Sequence, residues 1–321
     1  MKSLAVAAFC VAAVCGAQGR VVAARPTTPA IAPDTAPATT SSRANTPRFR
    51  HLQLQSFVLS RLDDNVNRDT LRVASVGVIS GLGAQLTSGP VRPWLVAEYD
   101  AAFHRYTATT RFNRVSQRGR VTVGGRVTRW WTLEMVSEGS LKGSFEDRDV
   151  SDQLTLQPRT EFKLGDDRRI RFSASHRWRR YPESPDQDAI NQYAAAEFRH
   201  RLPDGASWES EFRVERNAAR VTRFDYRRTT WNSTYTTPLW RGATLAVEMQ
   251  YRLQAYSNRL VEIEDEDVLR RDHRLQPAAA FSWQLGPVQL ELGYEPEWRR
   301  SNDPTRNIDQ HVLLMGLRHR W

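Results

Sequence analysis

The chain has very little cysteine and, beyond its first residues, no long apolar run. Its 321 residues include two cysteines, Cys10 and Cys15, and both lie in an N-terminal segment that we expect to be removed. The remaining chain then has no thiol for a disulfide or for a thiolate metal site. No later apolar stretch approaches the ~20 residues that a membrane-spanning helix requires. These absences exclude a disulfide-rich protein and a helical membrane protein.

The first 47 residues have the composition of an export signal followed by a linker. Residues 1–17 combine Lys2, an apolar run from Leu4 to Val14 and small residues before Gln18, which predicts a cleaved signal peptide. Cleavage near Ala23 and Ala24 is an alternative. Residues 18–47 are rich in Pro, Thr and Ala, and we expect a flexible linker there, with the folded domain over 48–321.

The charge balance is basic, and it limits the expected partners. Removing residues 1–17 takes away Lys2 and no acid, so the formal charge falls from +10 to +9. An exported protein rarely meets nucleic acid, so we expect none as a partner. Outer-membrane lipid and lipopolysaccharide, or an anionic solute, are the natural counterparts of such a surplus.

Apolar and polar residues alternate from Arg48 to the end of the chain. The pattern is clearest in VQLELGYEPEW (288–298), TLAVEMQYRLQ (244–254) and LQPAAAFSWQL (275–285). Successive side chains point to opposite faces of a strand, so each segment is predicted to be a strand with one apolar face. Short turns such as Pro203-Asp204-Gly205 alternate with longer polar loops, which is typical of an outer-membrane barrel.

We therefore predict an all-β, antiparallel transmembrane barrel of about 14 strands, with 12 to 16 as the range. A soluble β-sandwich also alternates, but many predicted strands have thirteen or more residues, whereas soluble strands commonly have about five or six. The predicted strands are 49–62, 69–87, 92–105, 115–130, 132–147, 152–165, 168–180, 190–203, 206–220, 224–239, 243–259, 270–286, 288–300 and 308–321.

The last segment, HVLLMGLRHRW, ends on an aromatic residue after apolar residues at alternate positions. It resembles the C-terminal β-signal of Gram-negative outer-membrane proteins, in which the barrel-assembly machinery recognises the last strand. That resemblance implies an outer-membrane location and a signal formed by Leu313, Met315, Leu317 and Trp321, with His319 departing from the usual pattern. In strand number and charged lumen the chain is also similar to barrels of the surface-lipoprotein assembly modifier type. Residues 18–47 are too few for the helical repeat domain of those proteins.

The faces opposite the apolar ones carry many charged residues and are predicted to line the lumen. Unlike charges on neighbouring strands can pair there and fill the barrel, or the unpaired surplus can select a solute. We expect Glu295 and Glu297 to approach Arg318 and Arg320. The candidate lumen residues are Arg177, Arg179, Glu197, Arg199, Glu211, Arg213, Glu215, Arg252, Glu295, Arg318 and Arg320.

Enzymatic and metal sites have weak support. Asp100, His104 and Ser116 share the lumenal face and could form a nucleophilic set, although any barrel rich in polar residues offers such a trio by chance. The His-x-Ser pattern of outer-membrane phospholipases is absent, and the histidines do not have metal-ligand spacing. We predict that the chain is not an enzyme and has no cofactor.

Two functions remain open. The first is a porin-like channel whose lumenal arginines favour small anionic solutes. The second is a non-conducting surface, envelope-assembly or export barrel that binds a partner or lipopolysaccharide. For the second, the loop 262–272 (EIEDEDVLRRD) is the feature of interest, because its acids could bind divalent cations. The oligomeric state is not indicated by the sequence.

Overall fold

The computed structural model describes residues 49–65, 73–88, 93–108, 113–141 and 151–321. The predicted signal peptide (1–17) and linker (18–47) lie outside these ranges, so both remain predictions. Among the described residues, no helix is long and apolar enough to cross a membrane.

Fourteen antiparallel strands follow one another around a single closed barrel. The barrel closes where the first strand pairs with the last, with Gln55 opposite Arg320 and Asp63 opposite Val312. Closure leaves no unpaired strand edge. An unpaired edge within lipid would leave backbone N–H and C=O groups without hydrogen bonds. The strands are β1 (Phe49–Asp63), β2 (Ser75–Ser88), β3 (Trp94–Tyr106), β4 (Arg114–Arg126), β5 (Trp131–Leu141), β6 (Asp152–Lys163), β7 (Arg168–Arg180), β8 (Ala189–Arg201), β9 (Ser207–Ala219), β10 (Tyr226–Pro238), β11 (Ala243–Ile263), β12 (Glu266–Leu285), β13 (Val288–Ser301) and β14 (Ile308–Arg320).

The two ends of the barrel differ in their connections, and we call them the turn end and the loop end. Both termini of the barrel and the short predicted turns lie at the turn end, where Gly165, Gly205, Gly242 and Gly286 have positive φ. Glycine adopts this conformation without steric cost, which is why the turn positions could be read from the sequence. Three of the connections at the loop end contain a short 3-10 helix.

The prediction of 14 strands is confirmed, and four strand bounds were wrong. β2 begins at Ser75 rather than 69, and β4 ends at Arg126 rather than 130. The predicted end of the fifth strand, at 147, lies outside the described residues. The predicted loop from 259 to 270 is instead an extension of β11 and β12. The tight turn between these two strands is formed by Glu264 and Asp265, both with positive φ. The sequence did not predict this turn because it contains neither glycine nor proline.

Side chains alternate between the inside and the outside of the barrel, and the alternation is interrupted at register shifts in β1 and in β11 between Ala255 and Leu260. Exposed residues such as Leu62, Phe212, Val247 and Met315 lie on the outer face. Aromatic rings gather on that face near the turn end, where Trp130, Trp131 and Phe162 stack with centroids 6.0–6.4 Å apart. An apolar outer band bordered by aromatic residues is what a lipid-spanning barrel requires.

Candidate functional site: the charged inner face

The structure places every candidate lumen residue on the inner face of the barrel. Along each strand, these residues fall at the same alternate positions as the buried residues, so their side chains point inwards. The candidates of the assembly signal fall at the intervening positions and point outwards. The inner set is Arg177, Arg179, Glu197, Arg199, Glu211, Arg213, Glu215, Arg252, Glu295, Arg318 and Arg320; the outer set is Leu313, Met315, Leu317 and Trp321.

Near the middle of the barrel and in the half nearer the turn end, ion pairs cross between strands and remain partly exposed. Glu138 accepts from Arg118 at 2.7 Å and lies 3.5 Å from Arg120. Arg171 bridges Glu161 at 2.6 Å and Glu197 at 3.0 Å, so one guanidinium joins β6, β7 and β8. Exposed fractions of roughly a tenth to a third for these side chains mean that solvent reaches this part of the lumen.

In the half nearer the loop end, the inner side chains are almost fully buried and form a dense polar network. Asp63 pairs with Arg61 at 2.9 Å and accepts from Gln310 at 2.7 Å, which ties β1 to β14 across the closure. Arg274 pairs with Glu297 at 2.6 Å. Buried charges in such pairs need each other, because a lone charge there would lose its hydration without compensation. The inner side chains are therefore closely packed at the loop end.

Sequence reasoning did not select the arginines of this network as candidates. Arg61, Arg228, Arg270 and Arg274 are all buried, and each pairs with a carboxylate at 2.6–3.3 Å. The alternation that identified the other inner residues applies to these four as well. The sequence did not indicate how deeply each of these side chains is buried in the barrel.

Several inner arginines have no carboxylate partner. Within the described residues, Arg177, Arg199 and Arg320 make no ion pair within 4 Å, and Arg159 donates only to the Gln157 side chain at 2.7 Å. Arg177 and Arg213 both lie over the ring of Tyr193, at 5.8 and 4.4 Å from its centroid. The inner positions of β7 include Arg169, Arg171, Arg177 and Arg179 and no acid. We call the inner face of β7–β9 the basic wall.

The wall on the opposite side of the barrel, formed by β1–β3 and β14, contains an uncharged patch. Leu59, Ile79 and Ala102 form a buried apolar cluster with Phe57 against it. Gly316 on β14 lies so close to Leu59 that an added Cβ would collide with its side chain and, at 2.9 Å, with the Val58 carbonyl oxygen. This patch adds no charge to oppose that of the basic wall.

The expected contact between the last two strands was wrong in its details. Glu295 lies opposite Val312, and Glu297 lies opposite Gln310. Arg318 instead pairs with Glu291 at 3.0 Å, and Arg320 donates to Gln289 at 3.2 Å. In this hairpin the residues nearest the loop face each other, so the beginning of β13 meets the end of β14.

Two members of the considered nucleophilic trio come together, and the third does not. The Nε2 atom of His104 and the Oγ atom of Ser116 are 2.8 Å apart in a buried position. Asp100 accepts from Gln55 at 3.3 Å and lies four residues from His104, about 13 Å along the strand. Asp100 therefore cannot orient the imidazole as a catalytic acid would. Among the described residues there is also no group of three or more His, Cys, Asp or Glu placed to hold a metal ion.

An apolar groove of about 560 Å³ lies on the outside of the barrel and is separate from this site. Its lining includes Leu133, Phe172, Ala194 and Phe212, all on the outer face of β5–β9. The groove belongs to the surface expected to face lipid.

Comparison with known proteins identifies the fold and no family. No family model matches the sequence, and no curated protein matches it. Among solved structures, the outer membrane channel DcaP of Acinetobacter baumannii is similar, with a TM-score of 0.55 and 8% identity over 84% of this chain and 97% of that one. A loop L8 deletion mutant of OmpT, an outer membrane protein of Vibrio cholerae, gives a TM-score of 0.51 and 8% identity over 84% and 99%. The chain has the fold of Gram-negative outer-membrane β-barrels, which confirms the predicted class.

Proposed function

We propose that the chain is an outer-membrane channel that favours small anionic solutes. The observation that carries this proposal is the basic wall. Its inner arginines include Arg177 and Arg199, which have no carboxylate within 4 Å among the described residues, whereas Glu197, Glu211 and Glu215 each pair with an arginine. The unneutralised charge along the path of a solute is therefore positive.

A fixed positive charge lowers the energy of an anion in the lumen and raises that of a cation. The effect is strong where the path is narrow and the surrounding protein has a low dielectric constant. Inner side chains are most deeply buried at the loop end, and we infer that the path of a solute is narrowest there. Arg177 and Arg179 lie in that half, so their charge acts where selection is most effective.

The similarity to DcaP supports the proposal at the level of the fold, since that protein is described as an outer membrane channel. At 8% identity the similarity says nothing of the solute. The preference for anions rests on the residues of this chain alone.

The experiment is the reversal potential of the refolded protein in a planar bilayer across a salt gradient. The wild type is expected to prefer anions, and Arg177→Glu with Arg179→Glu should shift the reversal potential towards cations. Salt should weaken the preference, because the Debye length falls from about 10 Å at ~0.1 M to about 3 Å at ~1 M.

A matched control exists on the same strand. Arg168 and Arg180 lie on the outer face of β7, so Arg168→Glu with Arg180→Glu makes the same change in charge outside the lumen. We expect the control to keep the wild-type selectivity. Cation preference in the wild type, or an equal shift in both double variants, would contradict the assignment of selectivity to the basic wall.

The second candidate is a non-conducting barrel that acts through its surface. It is favoured by the burial at the loop end, where Glu297 and Gln310 are each 1% exposed. Folded wild-type protein that inserts into the bilayer and carries no current under any gradient would establish this alternative and refute the channel.

A further inference from the structure

Among the arginines that point outwards at the loop end, three lie close to one another on strands β9, β10 and β12. The three exposed arginines are Arg216 on β9, Arg227 on β10 and Arg271 on β12. Each falls at the same alternate positions of its strand as the apolar outer residues. Within the described part of the chain, their guanidinium groups make no hydrogen bond, ion pair or ring contact. We call these three residues the outer arginine row.

The strand register places the row side by side. Arg216 lies directly opposite Arg227 on the neighbouring strand. Ala255 of β11 lies opposite both Arg227 and Arg271, so a single small residue separates the second arginine from the third. Two like charges at directly opposed positions, about 5 Å apart, destabilise a sheet. An anion between them removes this repulsion.

The row also lies at a defined height on the barrel. Along β9, Arg216 comes eight positions after Trp208 at the turn end, which corresponds to ~27 Å along a strand and to ~20 Å across the membrane at the usual tilt. Phe212 and Val214, between them on the outer face, are exposed and apolar. Below the row, the Tyr251 hydroxyl and the Nδ1 atom of His273 are 2.8 Å apart, and tyrosine is enriched at the level of the membrane–water interface.

From these features we propose that the outer arginine row binds the phosphate groups of a phosphorylated lipid in the outer leaflet, as in the lipid A part of lipopolysaccharide. The loops of such barrels face outwards, so the row stands at the headgroup level of that leaflet. Guanidinium groups bind phosphate with two parallel hydrogen bonds, and three adjacent groups suit a headgroup with more than one phosphate. Ala255 leaves space between them for the headgroup. The proposal depends on membrane insertion and is independent of conduction.

The test measures lipid binding by the refolded, full barrel in detergent micelles. Native mass spectrometry reports retention of bis-phosphorylated lipid A, with fully dephosphorylated lipid A as the second ligand. The wild type should retain the first and lose the second. Replacing the row with glutamine (Arg216→Gln, Arg227→Gln, Arg271→Gln) should weaken binding roughly a hundredfold, because each basic residue near an anionic surface contributes about a factor of five.

The matched control removes three exposed arginines from the other end of the barrel, by Arg129→Gln, Arg168→Gln and Arg241→Gln. It changes the net charge equally and should bind like the wild type. A variant with lysine at the three row positions keeps the charge and should retain part of the binding. All variants should keep the gel mobility of the folded barrel. Equal weakening in row and control variants, undiminished binding by the row variant, or equal retention of dephosphorylated lipid would each overturn the proposal.

Discussion

The buried ion pair between Arg274 and Glu297 should be one of the most sensitive points in the barrel. Their side chains are 5% and 2% exposed, and they pair at 2.6 Å. Arg274 also lies directly opposite Arg299, and Glu297 is 3.4 Å from that second arginine. One carboxylate therefore neutralises two guanidinium groups that would otherwise face each other across β12 and β13.

Glu297→Gln keeps the shape of the side chain and removes its charge. Because the change removes the closest negative charge from the buried guanidinium of Arg274, we expect it to lower the free energy of unfolding by about 3–5 kcal/mol. The assay is urea-induced unfolding of the refolded barrel in lipid vesicles, followed by tryptophan fluorescence. The decrease corresponds to a change in the unfolding equilibrium of more than a hundredfold, since each ~1.4 kcal/mol is a factor of ten.

Glu211→Gln provides the comparison. Glu211 pairs with Arg213 at 2.7 Å on the same inner surface, but the two side chains are 24% and 29% exposed, so solvent screens their charges. The expected loss there is about 0–1 kcal/mol. The double variant Arg274→Gln with Glu297→Gln should recover part of the larger loss, because it removes a buried charge together with its partner. Equal losses for Glu297→Gln and Glu211→Gln would refute the reasoning from burial.

Three further predictions concern assembly. The protein should fractionate with the outer membrane and migrate differently in detergent gels before and after boiling, and recovery in the soluble periplasmic fraction would contradict this. The backbone N–H of Trp321 donates to the Leu54 carbonyl at 3.0 Å across the closure. Deletion of Trp321 should therefore reduce the amount of protein in the membrane far more than deletion of residues 25–40. Equal amounts for the two deletions would argue against a role for the terminal aromatic residue. Gly316→Val should slow folding into vesicles because its side chain collides with Leu59, whereas Gly125→Val, at a position with open space, should fold at the wild-type rate.

The sequence by itself predicted about fourteen strands and, apart from the part of β11 beyond its register shift, the face on which the side chains of the strands lie. Both follow from local properties, because alternation has a period of two and four of the tight turns at the turn end contain a glycine, at Gly165, Gly205, Gly242 and Gly286. The turn at Glu264 and Asp265 was not predicted because no glycine marks it. Neither residue type is diagnostic of a tight turn, although both adopt positive φ there.

Which inner residues meet, and how deeply they lie, was decided by the tertiary structure. Alternation assigned Arg318 and Glu295 to the same side, yet the hairpin register paired Arg318 with Glu291. Asp63 and Gln310 are 247 positions apart and touch only because β1 and β14 close the barrel. The same holds for Arg216 and Arg227, whose side-by-side position depends on a register that their own strands do not specify. Period-two patterning defines a face, whereas partner and depth depend on the connection lengths and on the closed curvature of the whole sheet.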